Sequence, residues 1–475
     1  MSNNLVQGLV WKLLERFGVQ GISFLLQIIL ARILSPDDYG VLSIMIIFTT
    51  LANVFIQTGF NTALIQNKDV REEDYSSVFW ISIIIAFIMY FLLFNIAPII
   101  GRFYNMPSIV TPFRVLSLIL FPGALNSIQL AKVSKELDFR QVFISNIGAI
   151  LISGFIGITL ANIGLGVWAL VFQNLFNIII ACFVMHFTVG WKPKLICNFR
   201  RVKTLLSFGW KILLSSLIDT LYQDLSSLVI GKKYSSSMLG YYNRGKQFPQ
   251  FLIGAINGAL QSVMLPAMSK QQDNKIQVKS LMRISIMLSS FIIFPMMAGL
   301  AGVADSLVSL LLTDKWLHCV PFMQIFCFSL AFYPVHSCNL QAINAMGRSD
   351  IFLKLEIIKK GIGILLLAIS IFCFTSPIAI AMTGVITSLI GCFINAYPNK
   401  ILIGYSYHEQ FKDIIPSFIL SLIMFVCILP LKQLNLPSML ILLAQMVAGI
   451  FVYMSLSLLL KVKALNYFRD FKKKI

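Results

Sequence analysis

The sequence predicts an all-α polytopic membrane protein with about fourteen transmembrane helices, arranged as two six-helix lobes related by an internal repeat and followed by two further helices. Three observations predict it. Of the 475 residues, 58% are hydrophobic and only 12% are charged, against roughly 25% charged in an ordinary soluble protein. The apolar residues gather in runs of about 20, the length that crosses a hydrocarbon core. Residues of the first half also recur in order, near an offset of 200, in the second.

The spans fall at 9–33, 40–60, 78–100, 113–131, 143–161 and 165–187 in the first lobe, 1–190. A basic linker, 191–204, leads to the second lobe, 205–400, with spans at 205–230, 248–268, 284–312, 319–342, 357–374 and 378–396. The segment 401–475 adds spans at 414–430 and 438–460 and a basic tail. The first run carries Glu15, Arg16, Gln20 and Gln27 without a small-residue cleavage site, so it reads as a retained helix and not a signal peptide. With the N-terminus inside, 28 basic residues lie on the cytoplasmic side and 9 near the outer side, with Lys211 inside a span. The positive-inside rule then places both termini in the cytoplasm. It also accounts for the net charge of +19 without nucleic acid as a partner.

Several function classes are excluded cheaply. The eight cysteines sit mostly inside apolar runs with no CxxC spacing, so neither a disulfide framework nor a zinc site is indicated. No G-x-x-x-x-G-K-[ST] occurs, and His186, His318, His336 and His408 have no metal-ligand spacing. Outer loops are too short to hold a catalytic domain, so the chain is not expected to be an enzyme, to use a cofactor or to bind a metal. Two lobes related by a repeat are the layout of a transporter, whose energy would come from an H+ or Na+ gradient or from the membrane potential.

The repeat pairs Phe17-Gly18 with Phe208-Gly209, Gly40 with Gly240, and Pro122, Gln129 and Asp138 with Pro334, Gln341 and Asp350. An even number of spans per copy gives both copies one orientation, related by an axis along the membrane normal. Polar stripes follow the same pairing. In the first span Arg16, Gln20, Ser23 and Gln27 share a helix face, as do Lys211, Ser215, Asp219, Tyr222 and Ser226 in the seventh. Thr50, Asn53, Gln57 and Asn61 line the second, and Gln250, Asn257 and Gln261 the eighth. A polar side chain in hydrocarbon is costly, so such faces are expected to line a hydrophilic cavity.

Substrate contacts are therefore expected from Arg16, Gln20, Gln27, Asn53, Gln57, Asn61, Lys211, Asn257 and Gln261. Asp219 lies about 12 Å along the axis from Lys211, too far to pair with it, and is the candidate coupling site. Between the seventh and eighth spans lie Lys232, Lys233, Arg244 and Lys246, with Arg32 opposite Lys232 in repeat register. These five cations would receive a polyanion, such as a pyrophosphate, at the outer mouth.

The stretch Leu30-Ala31-Arg32-Ile33-Leu34-Ser35-Pro36-Asp37-Asp38-Tyr39-Gly40, followed by Gln57-Thr58-Gly59-Phe60, resembles the opening of bacterial Wzx-type polysaccharide transporters. Ser237-Met238-Leu239-Gly240-Tyr241-Tyr242-Asn243-Arg244 echoes it in the second half. Colanic-acid and teichuronic-acid exporters, often labelled lipopolysaccharide biosynthesis proteins, are the most similar in style.

The resemblance implies a place in the multidrug/oligosaccharidyl-lipid/polysaccharide exporter superfamily, with two lobes forming a V around a cavity. It implies a flippase that moves undecaprenyl-pyrophosphate-linked oligosaccharide units across the inner membrane by alternating access, for O-antigen, exopolysaccharide or capsule synthesis. Partners would be the lipid-linked substrate, membrane lipid and the polysaccharide polymerase machinery. The two last helices are similar to a pair that forms a lipid-tail groove in the lipid II flippase. A lipid II flippase, a multidrug cation antiporter and a non-transporting scaffold are the alternatives.

Overall fold

The computed structural model describes residues 11, 14, 18–66, 69–136, 138–196, 198–465 and 467, apart from the side chains of 58–60, 62, 66, 199–201, 203–208, 255, 259, 262 and 263. Every long regular element among them is a helix. Ten helical segments are long and apolar enough to cross a membrane. They leave Phe87, Phe91, Phe155, Phe183, Val447 and Phe451 more than half exposed, apolar surface that water would not tolerate in such quantity and a bilayer covers. The chain is a multi-pass membrane protein.

Two compact units divide it, Met1–Gly240 and Tyr241–Ile475. The first contains α1 (Gln20–Ile33), α2 (Pro36–Gln66), α3 (Glu72–Phe103), α4 (Val110–Leu116), α5 (Leu120–Glu136), α6 (Phe139–Asn162), α7 (Val167–Val189) and α8 (Phe199–Lys233). The helix α9 (Ser236–Ser269) starts there and continues into the second unit. The second unit adds α10 (Lys275–Gly302), α11 (Ala304–Leu312), α12 (Val320–Ala331), α13 (Tyr333–Ala345), α14 (Ser349–Cys373), α15 (Pro377–Leu402), α16 (Tyr407–Ile428) and α17 (Ser438–Leu459). Helices α8, α9 and α14 have membrane-spanning length but are not among the ten: α8 and α9 carry the polar and charged residues picked out above, and α14 carries Lys354, Glu356, Lys359 and Lys360.

Helix starts are set by capping. Ser35 and Asp38 form a reciprocal pair at the head of α2: Ser35 Oγ accepts from the Asp38 N–H at 3.2 Å, and Asp38 Oδ2 accepts from the Ser35 N–H at 3.0 Å. Ser235 Oγ accepts from the Met238 N–H at 3.1 Å and starts α9 in the same way. That cap corrects the expected outer loop at 231–247. Only Tyr234 and Ser235 separate α8 from α9, and the polar residues 236–247 form the first turns of a helix. The expected span 284–312 is likewise two helices, broken at Val303.

The basic linker is pinned, not free. The Trp191 indole donates to Glu72 at 3.0 Å, and the N–H groups of Lys194 and Asn198 donate to Ser76 and Ser77 at 3.0 and 2.9 Å. Trp191 packs with Tyr75, Phe79, Leu64 and Ile128 in one buried cluster. In the second unit, Arg283 of α10 makes two hydrogen bonds to Asp413 of α16, at 2.8 and 2.9 Å, and the Tyr405 hydroxyl donates to the same carboxylate at 2.8 Å. Charge-assisted, forked contacts of this kind fix the two helices against each other.

Candidate functional site: an apolar groove and polar helix faces

An apolar groove of about 700 Å³ lies in the second unit. Its walls come from α10 through Phe291, Pro295 and Gly299, from α16 through Met424 and Ile428, and from α17 through Leu442, Met446 and Ile450. Polar pins hold the last helix in place. Gln445, 1% exposed, donates to the carbonyls of Ile428 at 3.2 Å and Gly302 at 3.4 Å and accepts from Ser306 at 3.3 Å. Tyr453 donates to the Phe291 carbonyl at 2.8 Å. These bonds occupy the polar atoms of Gln445 and Tyr453, leaving hydrocarbon on the walls. Gln445, Gly449, Tyr453 and Ser457 recur every four residues in an otherwise apolar helix, a pattern that could have marked the contact face of α17 from the sequence.

The polar positions expected to line a cavity behave differently from one another. Arg16 lies outside the described residues. Gln20 is exposed at the start of α1, and Gln27 is half-buried, 3.5 Å from Ser23. On α2, Gln57 donates to Asn53 at 3.2 Å, and the pair lies against Gly123 of α5. Asn61 and Asn257 each keep a buried Oδ1 with no hydrogen-bond partner among the described residues. Gln261 is half-buried. Lys211 is exposed on α8, and Asp219, one face along, accepts from Gln223 at 2.9 Å.

The five cations expected at an outer mouth differ in burial. Arg244 is 4% exposed, bonded to Gln247 at 2.7 Å and stacked 5.1 Å over Trp316. It lies in the third turn of α9, and Lys246 is half-buried beside it in sequence. Arg32, Lys232 and Lys233 are exposed, each in the last turn of its helix, where a cation offsets the negative end of the helix dipole. Lys232 also reaches the Phe103 carbonyl and lies 4.4 Å over its ring.

At the heads of α2 and α9 the backbones touch reciprocally. A β-carbon on Gly40 would overlap the Ser236 carbonyl, and one on Gly240 the Pro36 carbonyl. Asp37 accepts from the Ser236 hydroxyl and, at 3.4 Å, from that of Ser237. The LSPDDYG-like segment is therefore a close helix-to-helix contact that only glycine permits.

Residues 29–321 match the polysaccharide biosynthesis protein family. The chain belongs to that family. Among its relatives, the polysaccharide biosynthesis protein chain is 22% identical over 468 residues to the teichuronic acid biosynthesis protein TuaB of Bacillus subtilis, covering 96% of this chain and 95% of that protein. It is 23% identical over 436 residues to the lipopolysaccharide biosynthesis protein WzxC of Escherichia coli, covering 89% and 85%. Its fold is that of a lipid II flippase, MurJ, in an inward closed conformation, with a TM-score of 0.72 at 16% identity over 98% of this chain and 99% of that one. An inward-facing multidrug transporter of the MOP superfamily matches with a TM-score of 0.61 at 14% identity, over 83% and 99%.

Proposed function

We propose that this protein flips polyprenyl-pyrophosphate-linked oligosaccharide units across the bacterial cytoplasmic membrane, by alternating access and without covalent chemistry. The observation that carries this reading is the groove. A polyprenyl tail needs a hydrocarbon-lined path of its own while the charged head crosses elsewhere, and the walls built by α10, α16 and α17 supply one. The relatives named for surface polysaccharides and the full-length likeness to a lipid II flippase support the same reading.

The head group is assigned to the polar faces of α1, α2, α8 and α9. Arg16 and Lys211 would offset pyrophosphate charge, with Arg32, Lys232 and Lys233 at the outer end. Gln20, Gln27, Asn53, Gln57, Asn61, Asn257 and Gln261 would hydrogen-bond sugars. The unpartnered Oδ1 atoms of Asn61 and Asn257 support this, since a buried acceptor without a donor is unfavourable until a ligand or water fills it. Two six-helix halves related by repeat, fourteen crossings and cytoplasmic termini complete the proposal. The reciprocal contacts of Gly40 and Gly240 are the feature that most supports a repeat. A polymerase that consumes the flipped unit is the proposed partner, and Asp219 remains a proposed site for a coupling ion.

The test is a flipping assay in proteoliposomes holding only this protein, with a fluorescent undecaprenyl-pyrophosphoryl oligosaccharide scored for accessibility in each leaflet. Gly449→Ala and Gly449→Phe run beside the wild type. A β-carbon at 449 would sit at ordinary contact, 3.6 Å from Ile428 and Met424, whereas a phenyl ring must enter the groove. Flipping by wild type and Gly449→Ala with at least about tenfold loss in Gly449→Phe, a barrier change of about 1.4 kcal/mol, is expected. Export of cationic dyes with no movement of the lipid would place the protein with multidrug exporters. Flipping of lipid II alone would make it a peptidoglycan-precursor flippase.

A further inference from the structure

His336 sits on α13 against a face of α15 that presents Ser388, Cys392 and Asn395. Its Nε2 is 3.2 Å from Ser388 Oγ and its Nδ1 is 3.2 Å from Asn395 Nδ2. The Ser388 hydroxyl is already committed as a donor to the Ser329 carbonyl, at 2.8 Å, so its oxygen can only accept from the ring. The Asn395 amide donates to Nδ1. Together these contacts specify a neutral imidazole carrying its proton on Nε2.

The arrangement leaves one polar atom over. Asn395 is fully buried, and its Oδ1 has no hydrogen-bond partner among the described residues. Turning the amide over would bring that oxygen to Nδ1, where it could accept a hydrogen bond from an imidazolium. Nothing else need change, because Nε2–H already donates to Ser388. The pocket thus holds complementary partners for both protonation states, exchanged by rotation about one terminal torsion. Gly391 makes the fit possible, since a β-carbon there would stand 3.0 Å from the ring Cε1.

The charge that acts on the ring is Lys359, whose side chain lies beside Gly391 with the imidazole. On α14, Lys359 is paired with Glu356 at 2.5 Å. On α16, Glu409 and Asp413 are held by Lys279 and Arg283 of α10, and the Tyr407 hydroxyl donates to the Phe393 carbonyl. Helix α12 contributes the Ser329 carbonyl and α15 the Cys392 thiol. His336 itself is half-buried.

We propose that His336, with Ser388 and Asn395, is a proton-binding site that is loaded and emptied during transport. The step is addition of H+ from water to the Nδ1 lone pair, with rotation of the Asn395 amide, and its reversal on release. The proposal rests on the transport reading for its purpose but not for its chemistry, and the two can fail separately.

One arm of the test reads protonation directly. Full-length protein carrying His186→Gln, His318→Gln and His408→Gln, which leaves His336 as the sole histidine, is labelled with ¹⁵N-histidine in nanodiscs. Its ring nitrogens are followed between about pH 5 and 8, the range in which histidine changes charge. A reversible change from the Nε2–H tautomer to imidazolium is expected, and Asn395→Asp should move the midpoint up by about one unit by placing a carboxylate at Nδ1. A ring that stays neutral throughout, or a midpoint indifferent to Asn395→Asp, overturns the proposal.

The second arm imposes a pH gradient on proteoliposomes. Gradient-stimulated flipping at least about tenfold above the ungraded rate, a difference of about 1.4 kcal/mol, should fall to that rate in His336→Gln. Stimulation that survives in His336→Gln refutes the coupling role. A wild type that titrates at His336 yet moves no lipid-linked oligosaccharide sinks the transport reading and leaves the proton site standing.

Discussion

Removing the Asp413 carboxylate should loosen α16 against α10, two of the helices that wall the groove. Asp413 is 6% exposed and accepts three hydrogen bonds, from Arg283 Nε and Nη2 and from the Tyr405 hydroxyl. Deleting one member of a fully buried ion pair costs about 3–5 kcal/mol, because the other charge is left without compensation. Arg283 keeps 34% of its side chain exposed, so water rehydrates it in part. Between that buried limit and the value below about 1 kcal/mol for surface pairs, Asp413→Ala should cost about 2–3 kcal/mol. For a unit the size of Tyr241–Ile475, each kcal/mol moves the melting midpoint by about 2–4 °C, so a fall of about 4–12 °C is expected. Differential scanning fluorimetry of the purified protein reads it. Replacing both partners, as in Arg283→Met with Asp413→Leu, should recover most of the loss, since an apolar pair leaves no stranded charge. A single variant that melts within about 1 °C of wild type, or a double variant worse than either single, would refute the assignment of the pair as the clamp between α10 and α16.

Gly40→Ala and Gly240→Ala should each destabilise by more than the roughly 1–3 kcal/mol of ordinary overpacking, because the opposing atoms are backbone carbonyls that cannot rotate away; yield and melting midpoint of each variant check it. Gln445→Leu strands the Gly302 and Ile428 carbonyls and should cost about 1–3 kcal/mol, read as faster hydrogen exchange at the contact of α17 with α10. Arg244→Ala should lower the melting midpoint and leave the apparent affinity for the lipid-linked oligosaccharide unchanged, in keeping with its buried stack on Trp316. Outside the membrane, hydrogen bonds from Arg348 hold the Asp350 carboxyl down at about 2. The folded value lies below the unfolded one, so the contribution of this pair is complete above about pH 4 and is lost only as pH falls through its folded value; NMR titration of the Asp350 carboxyl carbon, with Arg348→Gln returning it towards the ordinary carboxylate range, tests this.

Much of the helix inventory was legible because hydropathy reports what lies in hydrocarbon. It is silent about turns that project beyond it. The run at 248–268 was visible, but the helix around it begins at Ser236, where a serine cap and not apolarity sets the start. The helical setting of Arg244 was hidden for the same reason: a cation in a polar stretch reads as loop until its partner Trp316, far along the chain, is brought beneath it. The polar stripes of α2 and α9 were legible from spacing, whereas the bond between Asn53 and Gln57 and their seat on Gly123 depend on α5 packing alongside. The groove left no local signal, since its walls are ordinary membrane leucines, methionines and phenylalanines drawn from residues between 252 and 465. His336 was set aside for lack of metal-ligand spacing, although Ser388, Cys392 and Asn395 already shared a helical face waiting for a partner.

The touching backbones of α2 and α9 have the logic of an isologous dimer contact, in which residue i meets j and j meets i. If the repeat holds, such a contact needs to be invented only once. A glycine placed four residues after a helix start suits both sides of the crossing at the moment a single gene copy begins to self-associate, and fusion of two copies inherits it ready-made. Divergence is then constrained jointly: a larger residue on either side cannot be absorbed by shrinking the other, because neither glycine has anything left to give up. The two hexapeptides 35–40 and 235–240 should consequently be exchangeable as cassettes within one chain, each still meeting a glycine where it needs one, while no mixture that loses either glycine should survive.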